Sequence, residues 1–231
     1  MTEPRLVTQW AVCGIAAGAA RFLPVPLLDD VVRRRAAQLA VVRTLRAHGR
    51  DVATDLLEPL WGDPDGGGTG VRGRLRAVPG RLLRFPVRKY AAVFGAVRGV
   101  PNDVARVVLL ARAVDTRLER GELSSPDRLP DDARALRSAV DEALDGMDLR
   151  LLTAALADAL STSRGLTTAA VALVRRRFAT ADPDDANADL DADAPLTEGA
   201  ERVTEVLRRP EVAALLDRFD RQVDDRLAQR G

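Results

Sequence analysis

The chain of 231 residues carries 35 Lys plus Arg against 34 Asp plus Glu, one cysteine (Cys13), one histidine (His48) and only 3% aromatic residues. Those counts exclude an internal disulfide, a four-cysteine zinc site and an imidazole cluster. They also disfavour the stacking platforms of single-strand nucleic-acid binders. The near-neutral total hides a split: residues 1–123 hold 20 basic and 12 acidic side chains (+8), and residues 124–231 hold 15 and 22 (−7).

The opening MTEPRLVTQW lacks the basic start and cleavage site of a secretory signal. Leu6–Ala20 is free of charge but only fifteen residues long, against about 20 for a membrane span. It therefore predicts a buried or surface-lying helix, from Leu6 to Phe22. Gly14 and Gly18, four residues apart, share one face and favour close helix contact. RFLPVP, residues 21–26, reads as an elbow. Leu28–His48 is a second helix, with Leu28, Val32, Ala36, Leu39, Val42 and Leu45 forming its apolar stripe and Gly49 its stop. Asp51–Trp61 predicts a short helix broken at Pro59 and Gly62. DPDGGGTG, residues 63–70, is a loop, because glycine and proline both oppose regular helix.

A helix is expected to resume near Pro86 and run through KYAAVFGAVRG. Another begins near Asn102-Asp103 and ends near Gly121. The stretch around the first elbow resembles residues 95–108. Gly18, Ala19, Arg21, Pro24, Asp30, Val31 and Arg33 match Gly95, Ala96, Arg98, Pro101, Asp103, Val104 and Arg106 when four residues are skipped. A degenerate repeat of a helix–elbow–helix unit is one reading, and chance in a chain rich in alanine and arginine is the other.

SSPDRLPDD, residues 124–132, marks the boundary between a basic half (1–123) and an acidic half (124–231), both within reach of a single domain. Pro130, Asp131 and Asp132 suit the first turn of a helix, whose stripe is Ala133, Leu136, Val140 and Leu144. Helices follow over MDLRLLTAALADAL and over Leu166–Phe178. ADPDDANADLDADAP, residues 181–195, with six aspartates, is an exposed loop. Thr197 is the expected cap of the next helix. Pro210–Arg230 is amphipathic, with Val212, Leu215, Leu216, Phe219, Val223 and Leu227 on one face.

Several constellations could carry chemistry. Asp29 and Asp30 lie about 100° apart on a helix and do not share a face. They suit the positive end of the helix, with i,i+4 pairs from Asp29 to Arg33 and from Asp30 to Arg34. Asn187, Asp189, Asp191 and Glu198 fall in an EF-hand register, but Ala192 occupies the glycine position and Pro195 interrupts the loop. The glycines at 66–70 lack the following Gly-Lys-Ser/Thr of a phosphate loop. Ser161 and Ser163 have no local histidine base, and Cys13 sits in an apolar helix as a buried small hydrophobe. No metal site and no cofactor is predicted.

The strongest charge signal runs from Arg72 through Arg98, with eight basic residues and no acidic one. Within it Arg72, Arg74, Arg76, Arg81, Arg84, Arg88 and Lys89 alternate with apolar side chains. Such a pattern suits contact with an anionic membrane, and it also suits a solvated loop leaning on the acidic half. The sequence thus predicts an all-α, multi-helix bundle of roughly seven to nine helices. The function it points to is noncatalytic interaction or regulation, peripheral to the inner face of a membrane from the cytoplasm. Its partner would be a protein or an anionic surface, with a homo-oligomer open. The competing reading is a small enzyme or ligand-binding protein with an interhelical pocket made by Asp29, Asp30, Asp103, Arg21, Arg33, Arg98 and Arg106. Nonspecific nucleic-acid binding is the least favoured, since no helix-turn-helix or zinc module accompanies the basic tract.

Overall fold

The computed structural model describes residues 3–23, 28–62, 97, 99–123, 125–178 and 192–230. Among the described residues every regular element is helical, and no strand occurs. The uncharged N-terminal run forms α1, Pro4–Ala19, continued by a 3-10 turn, Ala20–Phe22. Pro4 fits the first turn because its missing N–H would have no helical partner there. Every residue from Trp10 to Ala20 is buried. A helix apolar all round belongs inside a protein, and α1 is the central rod. Around it pack α2 (Leu28–Ala47), α3 (Val100–Glu119), α6 (Leu166–Leu173) and α7 (Ala194–Arg208).

The small residues of α1 set its distance from α3. A Cβ on Gly14 would lie 3.0 Å from the Val104 Cα, and one on Gly18 would lie 2.8 Å from the Val100 Cγ1. Gly14 meets Val104 while Gly18 meets Val100, so the two helices run antiparallel. The expected tight packing at these glycines is present. Toward α2 the Trp10 indole donates to the Thr44 hydroxyl at 2.8 Å, and that hydroxyl donates to the Ala40 carbonyl. Both polar groups are buried, so this chain spares each the cost of an unmade hydrogen bond.

α2 ends as expected. Gly49 is left-handed (φ 67°), and the Arg50 and Gly49 amides donate back to the Leu45 and Arg46 carbonyls, the pattern of a Schellman cap. The short helix expected over Asp51–Trp61 is a 3-10 turn, Thr54–Leu60, which contains Pro59 and buries Leu57 and Leu60 fully. α4 (Leu129–Gly146) carries Pro130 in its first turn with Asp131 and Asp132, and Ala133, Leu136, Val140 and Leu144 are all buried. α5 is Arg150–Ser161.

Three boundaries differ from the sequence expectation. The helix expected to run through Gly99 is absent at its end, Val97 being a bend and Gly99 a left-handed turn residue. The helix expected over Leu166–Phe178 is α-helical only to Leu173, and Val174–Phe178 widens into a π turn carrying Arg175, Arg176 and Arg177. Thr197 does not cap α7. The helix starts three residues earlier with Pro195 in its first turn, and the Thr197 hydroxyl donates to the Ala192 carbonyl at 3.3 Å. Proline's suitability for the first turn outweighs the capping preference of threonine at this point. α8, Pro210–Ala228, buries Val212, Leu215, Leu216, Phe219 and Val223 and packs chiefly on α4. Fully burying a side chain such as Phe219 contributes about 1.5–3 kcal/mol.

One cluster of buried apolar residues runs from Leu6 in α1 to Val223 in α8. The charge split of the sequence reappears at its edge as a ladder between α3 and α8. Arg112 grips Asp220 with three hydrogen bonds of 2.6–3.1 Å and lies 3.8 Å from Asp217. Arg117 pairs with Asp224 and with Glu122, and Arg120 reaches Asp224 at 2.9 Å. Asp217, Asp220 and Asp224 stand three and four residues apart, the spacing that puts them on one helix face. No helix among the described residues is long and apolar enough to cross a membrane.

Candidate functional site

Asp103, in the first turn of α3, is the hub of the most concentrated charge cluster at the α1–α2 elbow. Its carboxylate is only 5% exposed. Arg21, on the 3-10 turn after α1, donates to it twice, Nε to Oδ2 at 2.6 Å and Nη2 to Oδ1 at 3.1 Å. This fork-to-fork pairing is the strong form of the arginine–carboxylate bond. Arg33 of α2 approaches from the other side, its Nε 3.4 Å from Oδ1. Arg33 also donates to Asp30 at 3.0 Å and lies 3.7 Å from Asp29. Three separate elements therefore meet on one buried carboxylate.

The approach of Arg21 depends on Gly99. That residue has φ 99°, and a Cβ built on it would fall 2.6 Å from the Arg21 Cζ. The guanidinium thus lies flat against a backbone where no side chain fits, next to Val100, the first residue of α3. The cluster perturbs its members. The hydrogen bond to Asp103 raises the Arg21 guanidinium above its ordinary range. Burial raises the Asp29 carboxyl, with Arg33 opposing the rise and Asp30 adding to it.

Of the pocket residues expected from sequence, Asp29, Asp30, Asp103, Arg21 and Arg33 come together. Arg106 does not join them: it points to Asp145 at 4.0 Å, at the limit of an ion pair. Arg98 lies outside the described residues, as do Arg72, Arg74, Arg76, Arg81, Arg84, Arg88 and Lys89. The expected pair between Asp30 and Arg34 is replaced by Asp30 with Arg33, three residues on. Arg33 can serve Asp29, Asp30 and Asp103 from one position, which Arg34, turned about 100° further round the helix, cannot. In the calcium register, Asn187, Asp189 and Asp191 are outside the described residues, and Glu198 is paired with Arg202 at 2.5 Å. Among the described residues no group of three or more His, Cys, Asp or Glu could hold a metal ion.

A second polar contact escaped the sequence reading. The His48 Nε2 lies 2.7 Å from Oδ1 of Asp115, whose side chain is 4% exposed. Arg33 meets Asp103 and His48 meets Asp115, so α2 and α3 run parallel, fastened by a polar contact near each end. Nothing local in the sequence links positions 48 and 115. Cys13 is fully buried, and desolvation pushes its thiol up to about 12, which removes the thiolate that reactive cysteines need.

No protein-family model matches the chain, and no curated protein or solved structure is significantly similar to it.

Proposed function

We propose that the chain is a noncatalytic helical interaction or regulatory protein, whose bundle holds the arginine-rich segment 72–89 against an anionic membrane surface at the cytoplasmic face. One contrast carries this reading. In the described bundle, arginines that meet the acidic half do so through fixed internal partners, Arg112 and Arg117 on α3 and Arg120 just after it taking Asp217, Asp220 and Asp224 on α8. From 72 to 98, by contrast, eight cations occur with no acidic residue among them. The carboxylates of Asp217, Asp220 and Asp224, one face of the acidic half, are thus already taken by partners other than this tract. The apolar residues interleaved with the cations suit insertion beside lipid headgroups, where each basic side chain contributes about 1 kcal/mol.

The pocket reading has less support. Asp103 gives both oxygens to Arg21, and Arg33 is shared among three carboxylates. Apart from the Arg33 Nε, which is buried without a hydrogen-bond partner, these groups are engaged with one another, which leaves little for a substrate.

Flotation with phosphatidylglycerol-containing vesicles tests the proposal. Recovery is expected at about 0.1 M salt and its loss at about 1 M, as the screening length falls from roughly 10 to 3 Å. Replacing Arg72, Arg74, Arg76, Arg81, Arg84 and Arg88 with Gln is expected to abolish recovery while leaving the helical circular dichroism intact. No recovery of the wild type at the lower salt would refute the proposal. Retention of duplex DNA under the same conditions, without flotation, would transfer the tract to nucleic-acid binding.

A further inference from the structure

The described helices divide by what they pack on. α2, α3, α5, α6 and α7 form a body around α1, whereas α4 packs chiefly on α8 and on the 3-10 turn Thr54–Leu60. Arg137 of α4 donates to the Leu60 carbonyl at 2.8 Å, and Glu142 of α4 pairs with Arg226 and Arg230 of the chain end. The turn, α4 and α8 thus make a lobe on the body. The described chain connections between lobe and body all leave the helical conformation. They do so at Gly49 (φ 67°) before the turn, at Gly121 (φ 75°) and Leu123 between α3 and α4, at Met147–Leu149 between α4 and α5, and at extended Arg209 between α7 and α8.

Ion pairs line the face where the lobe meets α3. Arg106 lies 4.0 Å from Asp145 of α4. Arg112 holds Asp220 of α8 and lies 3.8 Å from Asp217, while Arg117 and Arg120 take Asp224. In these pairs the cations belong to α3 and its end, and the anions belong to the lobe. The closed arrangement carries two costs beside them. Leu123 is a non-glycine residue at φ 56°, a conformation its Cβ opposes, and it is held there with its side chain buried. The Arg117 Nε is buried without a hydrogen-bond acceptor, which leaves a charged donor unsatisfied. Opening relieves both, because the turn regains its freedom and the guanidinium reaches water.

We propose that the lobe is hinged at these connections and latched shut by the ion pairs to α3, so that rising ionic strength swings it off α3 as a unit and turns Arg112, Arg117 and Arg120 toward solvent. The screening length falls from roughly 10 Å at about 0.1 M salt to 3 Å at about 1 M. The exposed members of the ladder feel this most, Arg120 at 45% and Asp217 at 64% exposure. Inside the lobe, α8 buries Val212, Leu215, Leu216, Phe219 and Val223, and salt does not screen such apolar contacts. The latch therefore loosens before the lobe does. This inference stands apart from the membrane-surface reading and needs no part of the basic tract.

The test is a pair of spin-label distances in the full chain. Labels at Asp158→Cys in α5 and Arg221→Cys in α8 span body and lobe, and labels at Arg134→Cys in α4 and Arg221→Cys lie within the lobe. All three positions are exposed, and Cys13 is buried and stays unlabelled. At about 1 M NaCl the distribution between body and lobe is expected to gain a longer component that is absent at about 0.1 M. The distance within the lobe and the helical circular dichroism are expected to stay the same. Asp220→Asn combined with Asp224→Asn is expected to show the longer component already at the lower salt. An unchanged distribution between body and lobe at both salts would overturn the latch. So would a distance within the lobe that lengthens in step, because α8 would then be peeling from α4 alone. Should the doubly substituted chain fail to fold, the salt comparison on the otherwise unaltered chain still decides between these outcomes.

Discussion

Replacing Arg21 with Met tests whether the elbow cluster holds the fold together. The substitution keeps much of the aliphatic stem and removes both hydrogen bonds to Asp103. Breaking a buried ion pair by deleting one partner costs about 3–5 kcal/mol, because the other charge is left buried and unpaired. Two features reduce this figure. Arg21 is 31% exposed, so its own attraction is partly screened, and Arg33 remains 3.4 Å from Asp103. About 2 kcal/mol is the expected loss, equivalent to a fall in Tm of roughly 4–8 °C for a chain of this size. Asp103→Asn should cost less, about 1 kcal/mol, because the partly exposed guanidinium it releases can turn to water. Urea unfolding followed by circular dichroism gives both values, and the double mutant gives their coupling, expected at about 1–2 kcal/mol. Single losses under about 0.5 kcal/mol, or strict additivity, would refute the assignment of Asp103 as the hub of the elbow.

Gly99→Ala should be more damaging than Gly49→Ala, although both positions have positive φ. Each pays about 1–2 kcal/mol for the left-handed conformation, but only at Gly99 does the new Cβ strike a neighbour, the Arg21 guanidinium; nothing lies within 4 Å at Gly49. Thermal melts should rank them so, and Arg21→Ala should partly relieve Gly99→Ala. Cys13 should resist thiol reagents in the native protein and react on unfolding. Its folded thiol is raised to about 12, so stability should be unaffected by this group below about pH 8.5 and fall by up to roughly 1.4 kcal/mol per pH unit above it. Cys13→Ala should flatten that slope in alkaline urea titrations. Arg112→Gln removes three hydrogen bonds to Asp220 and should cost about 1–2 kcal/mol. Hydrogen exchange should then rise first in α8.

The helices were legible because their signals are local. Apolar residues at spacings of three and four located α2, α4 and α8, and glycine or proline placed most of their ends. The errors fall where two local preferences compete. At the start of α7 the proline at 195 outweighed the threonine at 197. Around Pro59 a short helical signal settled into 3-10 geometry that buries Leu57 and Leu60. The π turn after Leu173 has no local signature, since VRRRF is compatible with ordinary helix. Gly14 and Gly18 were readable as a close-contact face, but the helix they contact was not, because Val100 and Val104 are more than eighty residues away.

The charge cluster was half legible for the same reason. Asp29, Asp30 and Arg33 lie within one turn of helix, so their association follows from helical spacing alone. Arg21 and Asp103 are separated by 82 residues, and only the likeness between the two elbow stretches suggested that they belonged together. That likeness grouped Asp103 with Arg21 and Arg33, which meet it, and with Arg106, which does not. Arg106 was paired by analogy with Arg33, yet Arg33 turns toward Asp103 whereas Arg106 turns toward Asp145. The arginines of the two stretches differ in what they do: Arg33 approaches the acid of the other stretch, at 3.4 Å. The crossing contact fixes the parallel register of α2 and α3 at one end, and His48 with Asp115 fixes it at the other. A bundle so fastened holds Gly99, and with it the backbone the Arg21 guanidinium packs on, at a defined place.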